Sequence, residues 1–238
     1  MLTQITHLNK NLDIHTHGND DDVSLYIKNT RSFYELGFLE YIRLNYNKHN
    51  IILDIGANIG NHSLFFSEYL DHTEIICFEP YSANVDLLYK NVTDKTVKIY
   101  NCALSDSNSL KPLYNSSKNN NGGYSLHFYD GSKGENQSFV VEEGLSTKTL
   151  DSFNLKNITM IKIDVEGHED SVLRGAIDTI INNKPIIFLE NLAHGYPHLF
   201  KVDQFDKFFT DINYIKKETN ICNGFMDLWI PDPNQIIT

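Results

Sequence analysis

Short continuous apolar runs alternate along this chain with stretches whose apolar residues fall at helical spacing. Ile51-Ile52-Leu53-Asp54-Ile55 is the first such run, and a run of this kind is how a buried parallel strand reads. It ends in Gly56-Ala57-Asn58-Ile59-Gly60, after which Leu64, Phe65 and Tyr69 take up a helical period. The pattern repeats. Ile75-Ile76-Cys77-Phe78-Glu79 predicts a strand, Ser82 to Asn91 a helix with Ser82 as its N-cap, and Val97 to Leu104 a third strand. Met160-Ile161-Lys162-Ile163-Asp164, a helix over roughly 168–182, and Pro185-Ile186-Ile187-Phe188-Leu189-Glu190 continue the rhythm. A helix near 203–211 and strands near 213–217 and 225–230 complete it. Ahead of the first run, Phe33, Leu36, Phe38, Leu39, Ile42 and Tyr46 fall at helical spacing. Residues 1–30 alternate weakly around Gly18-Asn19-Asp20, which predicts a β-hairpin whose strands include residues 12–15 and 23–27. Asp20-Asp21-Asp22 reads as its solvated tip.

Strand–helix alternation of this kind implies an α/β fold, an open and mostly parallel sheet wrapped by helices. Residues 105–146 interrupt it with Asn, Ser and Gly and two short aromatic strands, around Tyr124–Tyr129 and Ser138–Val141. They read as an insertion folded into a hairpin or flap. A length of 238 residues fits one large domain with an N-terminal hairpin extension.

Charge narrows the function classes. Twenty Lys and Arg against 31 Asp and Glu leave a formal net charge of −11, where a nucleic-acid binder shows a basic face. No run approaches the length of a membrane span, and MLTQITHLNKNLDIHTHGNDDD lacks the basic-then-apolar order of a signal peptide. The expectation is a cytoplasmic protein with neither nucleic acid nor membrane as partner. Cys77, Cys102 and Cys222 form no CxxC motif, and the first two fall in apolar runs, as buried reduced thiols do.

Acids cluster at predicted strand ends. Asp54, Glu79, Asp164, Glu166, Glu169 and Glu190 are six of the 31, and open parallel sheets bind ligands beyond the carboxyl ends of their strands. A dinucleotide loop needs G-x-G-x-x-G. Here Asn58 and Asn61 stand where two of those glycines belong, which disfavours a nicotinamide-dependent oxidoreductase. Asp54-Ile-Gly56-Ala-Asn58-Ile-Gly60 instead matches the loop that holds S-adenosylmethionine (SAM) in class I methyltransferases, with Asp54 toward the cationic amino-acid portion. Glu79, ending the next strand, suits ribose hydroxyls. In Lys162-Ile-Asp164-Val-Glu166-Gly167-His168-Glu169, three carboxylates and an imidazole within six residues suit a base or a divalent metal. Glu169 equally suits the first turn of the following helix, and His168 a capping position. Ser105 and Asp106 suit turn or capping roles as well as an adenine contact. His194 follows Glu190 closely enough to stand near the same cleft, and His127 lies in the insertion that could cover it.

Taken in order, several segments resemble the FkbM-type SAM-dependent methyltransferases. These are Phe33-Tyr34-Glu35, Asp54 to Gly60, Phe78-Glu79-Pro80, Ala103-Leu104-Ser105-Asp106, Asn121-Gly122-Gly123 with Ser125-Leu126, Thr149-Leu150-Asp151, and Ile163 to Glu169. The resemblance implies a Rossmann-like class I methyltransferase domain with a seven-stranded sheet and helices on both faces. It implies SAM as methyl donor, held by Glu35, Asp54, Gly56, Ala57, Asn58, Gly60, Asn61, Glu79, Pro80, Ala103, Leu104, Ser105 and Asp164. It further implies O-methylation of a hydroxyl, usually of a sugar or glycan, with Asp164, Glu166, His168, Glu190 and His194 as catalytic candidates. A divalent ion on the same acids is a variant of that reading, and a non-catalytic SAM-fold binding protein is the rival from another class.

Overall fold

The computed structural model describes residues 1–18, 21–115, 123–129, 131 and 137–234. Asn19, Asp20, Asn121 and Gly122, named above, lie outside them.

The chain opens with a hairpin of β1 (Leu2–His7) and β2 (Lys10–His15), closed by Leu8 and Asn9, both at positive φ. The helices α1 (Asp22–Thr30) and α2 (Leu36–Asn45) follow. The large sheet contains β3 (Ile51–Ile55), β4 (Glu74–Phe78), β5 (Val97–Tyr100), β10 (Ile158–Ile163), β11 (Ile186–Glu190), β12 (Tyr214–Glu218) and β13 (Met226–Pro231). Its order is β12-β13-β11-β10-β3-β4-β5, with β13 antiparallel to both neighbours and the other pairings parallel. A second sheet holds β6 (Ala103–Leu104), β7 (Ser109–Asn115), β8 (Tyr124–Ser125) and β9 (Phe139–Lys148) in the order β6-β9-β7-β8. The remaining helices are α3 (Asn61–Tyr69), α4 (Ser82–Asn91), α5 (Glu169–Arg174), α6 (Ile177–Asn183) and α7 (Asp206–Asp211).

The apolar strand runs bury both faces of the large sheet, because successive side chains point to opposite sides. Ile52, Ile75, Cys77, Met160 and Phe188 join one core with residues of α2 and α3. Leu53, Ile76, Phe78, Ile161 and Leu189 join another with residues of α5 and α7. Cys77, Cys102 and Cys222 are all unpaired, the first two buried. No helix among the described residues is long and apolar enough to cross a membrane.

Five expectations change. Residues 23–27 are helix, not strand: Asp21 caps α1, accepting from Ser24 N at 2.8 Å, and is buried rather than solvated. Tyr81, not Ser82, occupies the N-cap of α4. The predicted strand from Val97 to Leu104 divides at Asn101, whose Nδ2 donates to Glu79 O and Pro80 O and turns the chain toward the second sheet. The helix over 168–182 divides at Gly175, where a Cβ would lie 2.0 Å from Ser105 O. Finally, of the strand expected around Tyr124–Tyr129 only Tyr124–Ser125 forms.

Candidate active site

After β3, β4 and β5 run to one edge of the sheet, the chain returns to place β10 on the other side of β3. Loops leaving β3 and β10 therefore diverge, and a crevice opens at the carboxyl ends of those strands. A cavity of about 280 Å³ lies there, walled by the glycine loop, the ends of β4, β10 and β11, the segment before α2, and the second sheet.

The glycine loop is set by backbone hydrogen bonds. Gly56 N and Ala57 N both donate to Phe78 O, at 3.0 and 3.1 Å. Gly56 has φ +77, and a Cβ on it would stand 1.8 Å from Asp164 O, so the loop can lie flush against the exit of β10 only without a side chain. Asn58 N then donates 2.9 Å to Glu79 Oε2, while Tyr81 N donates 2.9 Å to Glu79 Oε1. The Glu79 carboxyl is thereby aimed by two loops at once. Burial still outweighs these donors and pushes its pKa up to about 7. At the opposite wall, Asn61 makes paired 3.0 Å hydrogen bonds with Tyr34 N and Tyr34 O. That clamp positions Glu35, itself in the left-handed region at φ +55.

Lys162 organises the floor. It lies opposite Asp54 in the β10–β3 register, and its fully buried Nζ is 3.2 Å from Asp54 Oδ1 and 3.3 Å from Asp164 Oδ2. It also donates 2.9 Å to Gly56 O. Burial opposes its charge, but Asp164 and Asp54 outweigh that and hold the ammonium above its usual range. Asp54 is consequently not a wall of the cleft. It shares its sheet face with Ile52, and is wholly buried between Lys162 and Ser63 Oγ at 2.5 Å. Gly60 also lies off the wall, packed on Leu88 and Val92.

Asp164, Glu166 and Glu190 line the cleft with Glu35. Burial, and then the charge of Asp164, push the Glu166 and Glu190 carboxyls up. At Glu35 burial also acts upward, yet His62 beside it outweighs this and holds the carboxyl below its usual range. Glu169 opens α5 from beneath, accepting from Val165 N (3.0 Å) and Gly167 N (3.2 Å), and so braces the loop that carries Glu166. His168 reaches the cleft wall, with Nε2 3.0 Å from Ser105 Oγ. Burial, then Lys111, lower its pKa to about 4, so the ring is neutral at pH 7.

Of the residues singled out from sequence, Glu35, Gly56, Ala57, Asn58, Asn61, Glu79, Pro80, Ala103, Leu104, Asp164, Glu166, His168 and Glu190 meet around this cavity. Ser105 stands behind His168, accepting from Lys111 Nζ at 2.8 Å. His194 is turned away, its Nε2 2.7 Å from the buried Asp227, and it does not line the cleft. His127 packs edge-on to Tyr129 beside Gly167, while Leu113, Tyr124, Ser125 and Leu126 of the insertion close one side. Tyr34, His62, Lys162, Tyr196 and Phe225 also line the cleft and were not foreseen. Lys162 carried a signal, since a lysine inside an apolar strand run needs a buried counter-charge. Tyr196 and Phe225 carried none, because they approach through the fold from the chain's last third.

Comparison with known proteins settles the kinship. The family model described as the methyltransferase FkbM domain matches residues 54–216, from the glycine loop to β12. The chain belongs to the FkbM methyltransferase domain family. Methyltransferase 1 of Beauveria bassiana (strain ARSEF 2860) is 27% identical over 147 residues, covering 54% of this chain and 59% of the relative. The chain thus spans less than two thirds of the length of that curated relative. A crystal structure of the methyltransferase FkbM from Methylobacillus flagellatus KT superposes with a TM-score of 0.50 at 16% identity, covering 77% of this chain and 44% of that one. A ribosomal protein L11 methylase from Lactobacillus delbrueckii subsp. bulgaricus gives 0.47 at 8% identity, covering 82% and 75%. The likeness to the Methylobacillus structure is one of fold: a Rossmann-like α/β domain of the methyltransferase type, as the segment order implied.

Proposed function

We propose that this protein is a SAM-dependent O-methyltransferase acting on a hydroxyl of a sugar or glycan. The observation that carries this reading is the sorting of charge along one cleft. Glu79 lies at one end beside the glycine loop, and Glu35, Asp164, Glu166 and Glu190 gather at the other. Lys162, the buried cation among them, is already engaged by Asp54 and Asp164. A pocket with more carboxyls than cations suits a ligand bearing an ammonium and a sulfonium, which favours their ionised forms, and Glu79 suits a ribose diol. Asn58, Pro80, Ala103 and Leu104 line the Glu79 end, where an adenosine would rest.

SAM supplies, when bound, a methyl group on positively charged sulfur for in-line displacement. The residues of this chain hold the acceptor and take its proton. As the acceptor oxygen is methylated, its hydroxyl proton would pass to Glu166 or Asp164. A positioned base of this sort contributes typically ~10²–10⁴-fold. Holding oxygen and methyl in line contributes the rest. The acceptor class is supported by Tyr34, Tyr196 and Phe225, which line the cleft together with the carboxylates. Aromatic faces receive the C–H faces of a sugar ring while carboxylates accept from its hydroxyls.

Calorimetry against S-adenosylhomocysteine, SAM, NAD and NADP tests the first half of this reading, with binding expected for the first two alone. Turnover on a glycan panel at saturating SAM tests the second. Asp164→Asn with Glu166→Gln is expected to reduce kcat by at least about 10²-fold; unchanged turnover in that double variant would remove these acids from the chemistry. Nucleotide binding restricted to NAD or NADP would favour the oxidoreductase instead.

A further inference from the structure

One group in the cleft has no role in the chemistry just described. His62, in the first turn of α3, is 7% exposed, and its Nε2 is buried and makes no hydrogen bond. Glu35 Oε2 nevertheless lies 3.2 Å from it. A carboxylate oxygen and an imidazole nitrogen at this distance are stabilised by positive charge between or beside them, from a proton on the ring or from a metal ion. Asp164 approaches the same point from the end of β10, so that donor atoms of Glu35, His62 and Asp164 all lie within 4.8 Å of one another. A second orphan belongs to the same cleft: Glu190 Oε2 is buried without a partner on a residue 9% exposed. Three separate elements thus converge on one point, each held by its own packing. Glu35 is clamped through the Asn61–Tyr34 pair, His62 lies between Phe38 and Phe66, and Asp164 is tethered by Lys162.

We propose that Glu35, His62 and Asp164 form a binding site for a divalent transition-metal ion, with Glu190 beside it. One imidazole and two carboxylates suit Mn²⁺, Fe²⁺ or Zn²⁺ better than the all-oxygen shells that Mg²⁺ and Ca²⁺ prefer. The Glu35–His62 spacing is compatible: two donors 3.2 Å apart, each ~2.1 Å from an ion, subtend roughly 100° at it. Three protein ligands leave positions open for oxygens of an incoming molecule. On the O-methyltransferase reading, on which this role rests, two neighbouring hydroxyls of the acceptor fill them, and the ion acidifies the one that is methylated. The hydroxyl proton then passes to Glu166, Asp164 being a ligand of the ion, and no oxidant or reductant enters. The ion-binding claim itself is independent of that reading.

The test is titration of the full chain with Mn²⁺ alone, followed by electron paramagnetic resonance of the free ion and by calorimetry, with Zn²⁺ as a second probe. One saturable site per chain is expected, still occupied in saturating S-adenosylhomocysteine. His62→Ala is expected to weaken it at least about tenfold, and so is Glu35→Gln, which leaves the packed imidazole in place should the first variant fold poorly. Absence of a saturable site for either ion overturns the proposal, as does wild-type affinity in both variants. Displacement of Mn²⁺ by S-adenosylhomocysteine overturns it too, by assigning the three donors to the cofactor's ammonium group. S-adenosylhomocysteine binding measured in chelator keeps the two claims apart: retained without any metal site, it leaves the methyltransferase reading standing and removes this one.

Discussion

At the scale of the residue, Lys162 binds the site to the fold. A charge sealed in a sheet interior survives only with partners, and removing one partner strands the other. Lys162→Met is therefore expected to destabilise the protein by about 3–5 kcal/mol, because Asp54 would be left wholly buried against Ser63 alone. Urea unfolding measures this, and adding Asp54→Asn should recover most of the loss. A single-variant cost below ~1 kcal/mol would mean that the pair does not carry opposite charges. Gly56 is the complementary case, a position defined by what it lacks, since any Cβ would strike the Asp164 carbonyl. Both residues stand in motifs legible from the sequence. Their mutual dependence is not legible, because it arises only where β3 and β10 lie side by side.

At the scale of the element, burial makes His168 a poor proton acceptor, and the insertion adds to it. Lys111 of β7 donates to Ser105 Oγ, which meets His168 Nε2, so a cation from the second sheet backs onto the imidazole at the start of α5. Lys111→Met is expected to move the His168 midpoint upward from about 4, as followed by the ring proton shifts. A midpoint that stays near its original value would remove Lys111 from its causes. On the same ground His168→Asn should reduce turnover by less than tenfold, in contrast to the carboxylate variants. The strands of the large sheet were readable from their apolar runs. The N-terminal helix α1 was not, for Val23 and Ile27 suit either period in so short a window, and the Asp21 cap decides it. Likewise the break at Gly175 follows from contact with Ser105, seventy residues earlier in the chain.

At the scale of the whole molecule, the acids shape stability against pH. Glu79 and Glu169 titrate near 7 and Glu166 near 8, raised above the usual 4.5, chiefly by burial. A carboxyl whose folded pKa exceeds its unfolded value binds more protons when folded, so stability falls as pH rises between the two values. The ligand-free protein is accordingly expected to be more stable at pH 5 than at pH 8. The difference should shrink in Glu190→Gln, which removes another carboxyl raised by burial, and on binding of a cationic ligand. Denaturant midpoints across that range measure it, and a midpoint that rises toward pH 8 would show that these acids are ionised without penalty. The net charge of −11 adds self-repulsion in the same direction, which is why the isosteric variant is the sharper comparison.

By itself the sequence determined the α/β alternation, the glycine loop and the residues of the acidic rim, because strand burial, tight turns and strand-end chemistry are written in local pattern. Only the tertiary structure decided which acids face the cleft. Parity along β3 turns Asp54 inward to Lys162, while Asp227 draws His194 away. It also brought Tyr34, His62, Tyr196 and Phe225 to the wall. These depend on registers and crossings between segments far apart in the chain, and no local spacing encodes them.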